Sequence, residues 1–174
     1  MKLIFVTGLR ELDRKTIVEL ALQRSGRKKE FTVVDFDKIS EVAEEVEQAA
    51  ESETARQMLT KFYEDMEKTV IADLKEQKGS MLINGYLTFD TRHGYIGAVP
   101  EGFFRSFKPD TIVILERQAD LNERLEQRAL EQQGINRYFG SIYASLTGST
   151  LKIIRFRERK MMEAVEELGD VLRH

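Results

Sequence analysis

The residues whose types and spacing best suit chemistry lie near the start of the chain. Gly8-Leu9-Arg10-Glu11-Leu12-Asp13-Arg14-Lys15-Thr16 follows the apolar run Leu3-Ile4-Phe5-Val6-Thr7. A phosphate-cradling loop reads Gly, four residues, Gly, Lys, then Ser or Thr. Its glycines let backbone N–H groups approach the phosphates, its Lys reaches the terminal phosphates and its hydroxyl holds Mg²⁺. In that register Gly8 keeps the first place, Asp13 stands at the second glycine, Arg14 at the Lys and Lys15 at the hydroxyl. One extra loop residue would make Lys15-Thr16 the Lys–Thr pair, still without the second glycine. Asp13 and Glu11 bring carboxylates toward phosphate positions, where like charges about 4 Å apart repel by roughly 4 kcal/mol at an effective dielectric of 20. Arg10, Arg14 and Lys15 supply three cations at a helix N-terminus, which favours anions. Asp13 is also a good N-cap. The candidate nucleotide-binding set is therefore Gly8, Arg10, Asp13, Arg14, Lys15 and Thr16. The competing reading is a capped strand–helix junction whose charges pair among themselves.

Other polar candidates are scattered. Asp35, Asp37 and Asp90 are carboxylates near expected strand ends, and spacing alone is a weak metal signal. The chain has no Cys and two His, His93 and His174, so neither a thiolate site nor a His cluster is expected and no metal ligand is assigned. Aromatics gather at Tyr86, Phe89, Tyr95, Phe103, Phe104 and Phe107, with Tyr138, Phe139 and Tyr143 beyond. They read as core filling beneath an irregular segment rather than as a stacking surface. Arg155, Arg157, Arg159 and Lys160 could meet RNA or an acidic partner, without a recognised RNA-binding motif. Residues 37–77 carry twelve acids against five bases, and residues 105–160 eleven bases against seven acids.

The elements that must position these groups alternate. Short apolar strands are expected at 3–7, 31–36, 81–85, 111–116 and 151–154. Helices are expected at 14–24 and 38–50, and from Thr54 as N-cap through Leu74 to a stop at Lys78-Gly79. Further helices are expected from Asp120 with Leu121, Leu125 and Leu130, from Asn136 to Leu146, and from Met161 to Arg173. Gly134 is expected to break the helix that starts at Asp120, and 86–107 to be irregular. Arg124 and Arg128 would then lie one turn apart on one helix. Five such strands predict an α/β fold: a doubly wound parallel five-stranded sheet flanked by helices, with a small helical insertion. Its ligands would lie beyond the carboxyl ends of the strands. At 174 residues a single domain is expected, and the four-residue apolar run near the start is too short for a signal peptide or a span. The expectation is a cytoplasmic protein that avoids membranes.

Val6-Thr7-Gly8, Val34-Asp35-Phe36, the segment Gly94 through Pro100, the segment Lys108 through Glu116 and the residues from Asn136 to Ile154, taken in order, resemble the archaeal adenylate kinases over almost the full length of the chain. Val6-Thr7-Gly8 is similar to the strand entering that family's phosphate loop, and Val34-Asp35-Phe36 to its second strand. Gly94-Tyr95-Ile96-Gly97-Ala98-Val99-Pro100 resembles its Gly-Tyr-Leu-Ala-Gly-Leu-Pro segment. Lys108-Pro109-Asp110 through Glu116 resembles its Asn-Pro-Asp strand. Asn136-Arg137, Tyr143 and Leu146 through Ile154 match for almost twenty residues without a gap. The resemblance implies a P-loop-kinase-like fold over residues 1–174. It makes 37–77 the equivalent of the monophosphate lobe and leaves 129–135 as a residual lid. Arg124, Arg128 and Arg137 would face phosphates and, with Arg14 and Lys15, are the candidate catalytic residues. The departures are the altered loop, Asn84-Gly85-Tyr86 where the family has Asp, Thr and His, and a lid without Arg.

Three functions stay open. The first is a non-catalytic or very weakly active relative that binds a nucleotide or a protein. The second is an active nucleoside monophosphate kinase converting ATP and AMP to two ADP. The third is an oligomeric scaffold without ligand, trimeric by resemblance. No cofactor is certain, and the ligands implied are ATP or AMP with magnesium. An unidentified protein partner is the expected macromolecular contact, ahead of nucleic acid.

Overall fold

The protein is described by a computed structural model, and the structure describes residues 1–36, 39–72, 76 and 79–174. The expected residues Asp37, Leu74 and Lys78 lie outside the described set. A parallel five-stranded sheet forms the centre. Its strands are β1 (Leu3–Gly8), β2 (Phe31–Asp35), β3 (Ser80–Asn84), β6 (Thr111–Gln118) and β7 (Thr150–Arg157), in spatial order β2-β3-β1-β6-β7. A two-stranded antiparallel hairpin, β4 (Thr88–Thr91) with β5 (Gly94–Gly97), stands apart.

Strand periodicity divides the core. Side chains alternate between the two faces of a strand. Leu3, Phe5, Met81, Ile83, Ile112 and Ile114 belong to one cluster. Ile4, Val6, Leu82, Val113 and Leu115 belong to the other. The second face is covered by α1 (Arg14–Arg24) and α6 (Met161–Arg173), through Ile17, Val18, Ala164 and Leu168. The first face is covered by α2 (Ile39–Gln48), α3 (Ser52–Met66), α4 (Glu101–Phe107) and α5 (Gln127–Thr147). The inner strands β1, β3 and β6 are buried on both faces, so they read as unbroken apolar runs. The α/β architecture is thus a doubly wound P-loop-kinase-like sheet flanked by helices. A π-type turn, Glu67–Ile71, continues α3.

Four expectations change. The 86–107 segment is ordered: it holds the β4–β5 hairpin and α4, and its Phe89, Phe103, Phe104 and Phe107 are buried. No helix starts at Asp120, because the connection after β6 turns at Asn122 with a left-handed φ of 69°. And Gly134 does not end a helix, since α5 runs unbroken from Gln127 to Thr147 and contains residues 129–135. Tertiary bonds outweigh the roughly 1 kcal/mol helix penalty of a glycine. The side chain of Gln133 grips the Arg117 backbone, its Oε1 accepting from N–H at 2.8 Å and its Nε2 donating to C=O at 3.2 Å. The Thr88 hydroxyl donates to Asn136 Oδ1 at 2.6 Å. α3 also begins at Ser52, two residues before Thr54.

Candidate functional site

The chain leaves β1 toward β2 on one side and leaves β6 toward β7 on the other. Ligands of open α/β sheets bind in such a crevice, at the carboxyl ends of the strands. Gly8 closes β1 where any side chain would collide, since an added Cβ would stand 2.8 Å from the Leu115 carbonyl oxygen.

The turn after Gly8 is partly bonded to itself. Leu9 is buried. The Leu12 N–H donates to Leu9 C=O at 3.2 Å and the Arg14 N–H to Leu12 C=O at 2.7 Å. The Asp13 carboxylate accepts from Thr16 N–H at 3.2 Å and so caps α1. Arg10 reaches both oxygens of Glu47 in α2 at 3.1 Å.

Arg14 turns inward and is only 5% exposed. Its Nη1 donates to Gly85 C=O at 2.7 Å and to Gly8 C=O at 3.3 Å, joining the ends of β1 and β3. The Tyr86 ring lies 4.2 Å from its guanidinium carbon, within cation–π range. Asn84, at the end of β3, donates from Nδ2 to Asp35 Oδ1 at 3.1 Å. A carboxylate only accepts, so this amide must present its NH₂ to Asp35.

The other candidate cations spread over different cavities. Lys15 is exposed and lines a groove of about 430 Å³ beside β2, with Asp35 and Asn84. Arg128, in the first turn of α5, stands 2.7 Å from Asp90 Oδ2 and lines a crevice of about 470 Å³ shared with Arg10, Glu47 and Arg117. Burial, then Asp90 and Glu131, push the nearby Tyr95 hydroxyl above its ordinary range. Arg124 and Arg137 line a third cavity, beside the ends of β6 and β7. Arg124 sits in the irregular connection, so it shares no helix with Arg128. The loop residues Gly8, Arg10, Asp13, Arg14, Lys15 and Thr16 are thus brought to one turn, and the five candidate catalytic cations to no common point. Asp90 pairs with Arg128, and His93 Nε2 lies 2.6 Å from the Ala50 carbonyl oxygen.

Two features escaped the sequence reading. Glu116 is buried and holds two arginines: Arg137 Nη1 lies 2.9 and 3.0 Å from its two oxygens, and Arg155 Nε 3.1 Å from Oε2. The bond from Gln133 to the Arg117 backbone was equally unsignalled. A long separation in sequence hides both.

The sequence model of the family described as "AAA domain" matches residues 16–137. The chain is 26% identical over 186 residues to an adenylate kinase of Pyrococcus abyssi (strain GE5 / Orsay), covering 97% of this chain and 94% of that protein. It is 25% identical to an adenylate kinase of Methanoculleus marisnigri, covering 99% and 98%. It is 22% identical to one of Methanothermobacter thermautotrophicus, covering 99% and 100%. No helix among the described residues is long and apolar enough to cross a membrane. With this sheet order and these full-length similarities, the chain belongs to the AAA domain family and is a distant homologue of the archaeal adenylate kinases.

Proposed function

We propose that this chain keeps the adenylate-kinase scaffold without efficient phosphoryl transfer and acts as a binding module for a protein or a nucleotide. The observation that carries this reading is Arg14. Its guanidinium bonds the carbonyls of Gly8 and Gly85, and the N–H groups of Leu12, Arg14 and Thr16 already have acceptors within the turn. A phosphate cradle needs those donors turned toward the ligand.

The residues at the turn do not fit a magnesium-bound triphosphate. Lys15 stands where the metal-binding hydroxyl would be, and the end of β3 offers the neutral amide of Asn84, already bonded to Asp35. Phosphoryl transfer depends on positioning and charge neutralisation, and three of the candidate cations, Arg10, Arg128 and Arg137, are held by Glu47, Asp90 and Glu116. In this reading residues 37–77 are the counterpart of the monophosphate lobe. Residues 129–135, two turns of α5, are what remains of the lid. An active kinase would need Arg14 to leave both carbonyls.

The test is ADP formation from ATP, AMP and Mg²⁺, with Arg14→Ala and Lys15→Ala alongside. Turnover is expected to lie more than about a thousandfold below the roughly 1–100 per second of kinases. Robust ADP formation that disappears in either variant overturns the proposal.

A further inference from the structure

An open groove of about 750 Å³ runs between the ends of β6 and β7 and the first turns of α5. Its lining includes five arginines, Arg117, Arg124, Arg137, Arg155 and Arg157, against the two acids Glu116 and Glu123. Glu116 is committed to Arg137 and Arg155, and Arg117 reaches Glu158 at 3.6 Å. Arg124 and Arg157 make no ion pair among the described residues. The groove therefore carries a net positive charge with two uncommitted guanidinium groups.

Aliphatic surface lies beside them. Leu125 and Leu130 line the groove, and Leu130 is 47% exposed. Leu121, on the same connection, is 78% exposed. The sequence Asp120-Leu121-Asn122-Glu123 has the spacing of a helix capping box. Yet the chain turns at Asn122, so these leucines stay off the core. Isolated surface leucines need no explanation, but leucines beside unpaired arginines in a concave site mark a place for a ligand with both characters.

We propose that this groove docks an acidic segment of a partner polypeptide, with carboxylates on Arg124 and Arg157 and apolar side chains on Leu125 and Leu130. Guanidinium forks match carboxylates in geometry as well as charge. A single-stranded nucleic acid would instead use aromatic platforms, and the groove's lining residues include none. The inference rests on the reading of this chain as a binding module and names the partner class.

The test uses the full chain and a fluorescein-labelled peptide of repeating Glu-Leu-Asp-Leu, read by fluorescence anisotropy. The same peptide with Gln and Asn for its acids, an oligo-uridylate and ATP serve as competing probes. The acidic peptide is expected to bind, and more weakly as salt rises. Arg124→Glu with Arg157→Glu is expected to weaken it about tenfold or more with circular dichroism unchanged, since neither side chain makes an ion pair among the described residues. Leu130→Ser is expected to weaken it independently of salt. No binding at millimolar peptide, equal binding by the charge-reversed variant, or loss of oligo-uridylate or ATP binding in that variant without any peptide binding overturns the proposal. ADP formation is measured on the same preparation. ADP without peptide binding removes both readings, and absent ADP without peptide binding removes only the docking.

Discussion

Arg14 shows how one residue's meaning depends on its direction. As a cation at the foot of a helix it reads as a phosphate ligand. Buried against two carbonyls and the Tyr86 ring, it acts as a clasp between β1 and β3. Asp13 reads as a cap in sequence and is one in the structure. Tyr63 gives a residue-scale prediction. Its ring packs against Phe36, Phe62 and Phe103. Its hydroxyl is buried without a hydrogen-bond partner among the described residues. A buried unsatisfied hydroxyl costs about 1–3 kcal/mol. Tyr63→Phe keeps the ring and removes that cost, so urea unfolding should show a gain of about 1 kcal/mol. A loss of similar size would mean that the hydroxyl has a partner.

At the scale of elements, α5 is where local preference and tertiary context part. The chain from Asp120 to Leu130 suits a helix, and the observed helix starts seven residues later. It then continues through Gly134, held by Gln133 on the β6 backbone and by Asn136 on Thr88. It stops where a left-handed residue is needed, at Gly148 with φ 72°, before the turn into β7. Gly134 has helical neighbours and open space: an added Cβ would meet only Arg137 Nη2, at 3.8 Å. Gly134→Ala should therefore raise stability by about 1 kcal/mol through helix propensity. Thermal unfolding checks this, and a lower midpoint would mean that the glycine is needed for close packing.

At the scale of the whole molecule, the wide aromatic core beneath α3, α4 and α5 sets a pH limit. Burial pushes the hydroxyls of both Tyr63 and Tyr143 up, Tyr143 to about 12. An unfolded tyrosine loses its proton near pH 10. Between those values the folded chain holds protons that the unfolded chain releases. This stability is whole below about pH 10 and falls as pH rises through about 12. Urea unfolding at pH 11 against pH 8 should show a loss of about 1–3 kcal/mol, smaller in Tyr63→Phe. An equal loss in that variant would assign the effect to other groups.

The sequence by itself determined the parallel sheet, its apolar inner strands and the Asp13 cap. Those follow from periodicity, apolar runs and local hydrogen bonding, which act over a few residues. The motif residues from Gly8 to Thr16 were legible as a group for the same reason. Only the tertiary structure decided that Arg14 points inward, that Glu116 gathers Arg137 and Arg155, and that Arg128 and Arg124 part company. Each of those outcomes depends on groups brought together across the sheet, such as Arg14 with Gly85 and Arg128 with Asp90. Side-chain direction and ion pairing are settled by burial and by partners distant in sequence, and spacing along the chain carries no record of either.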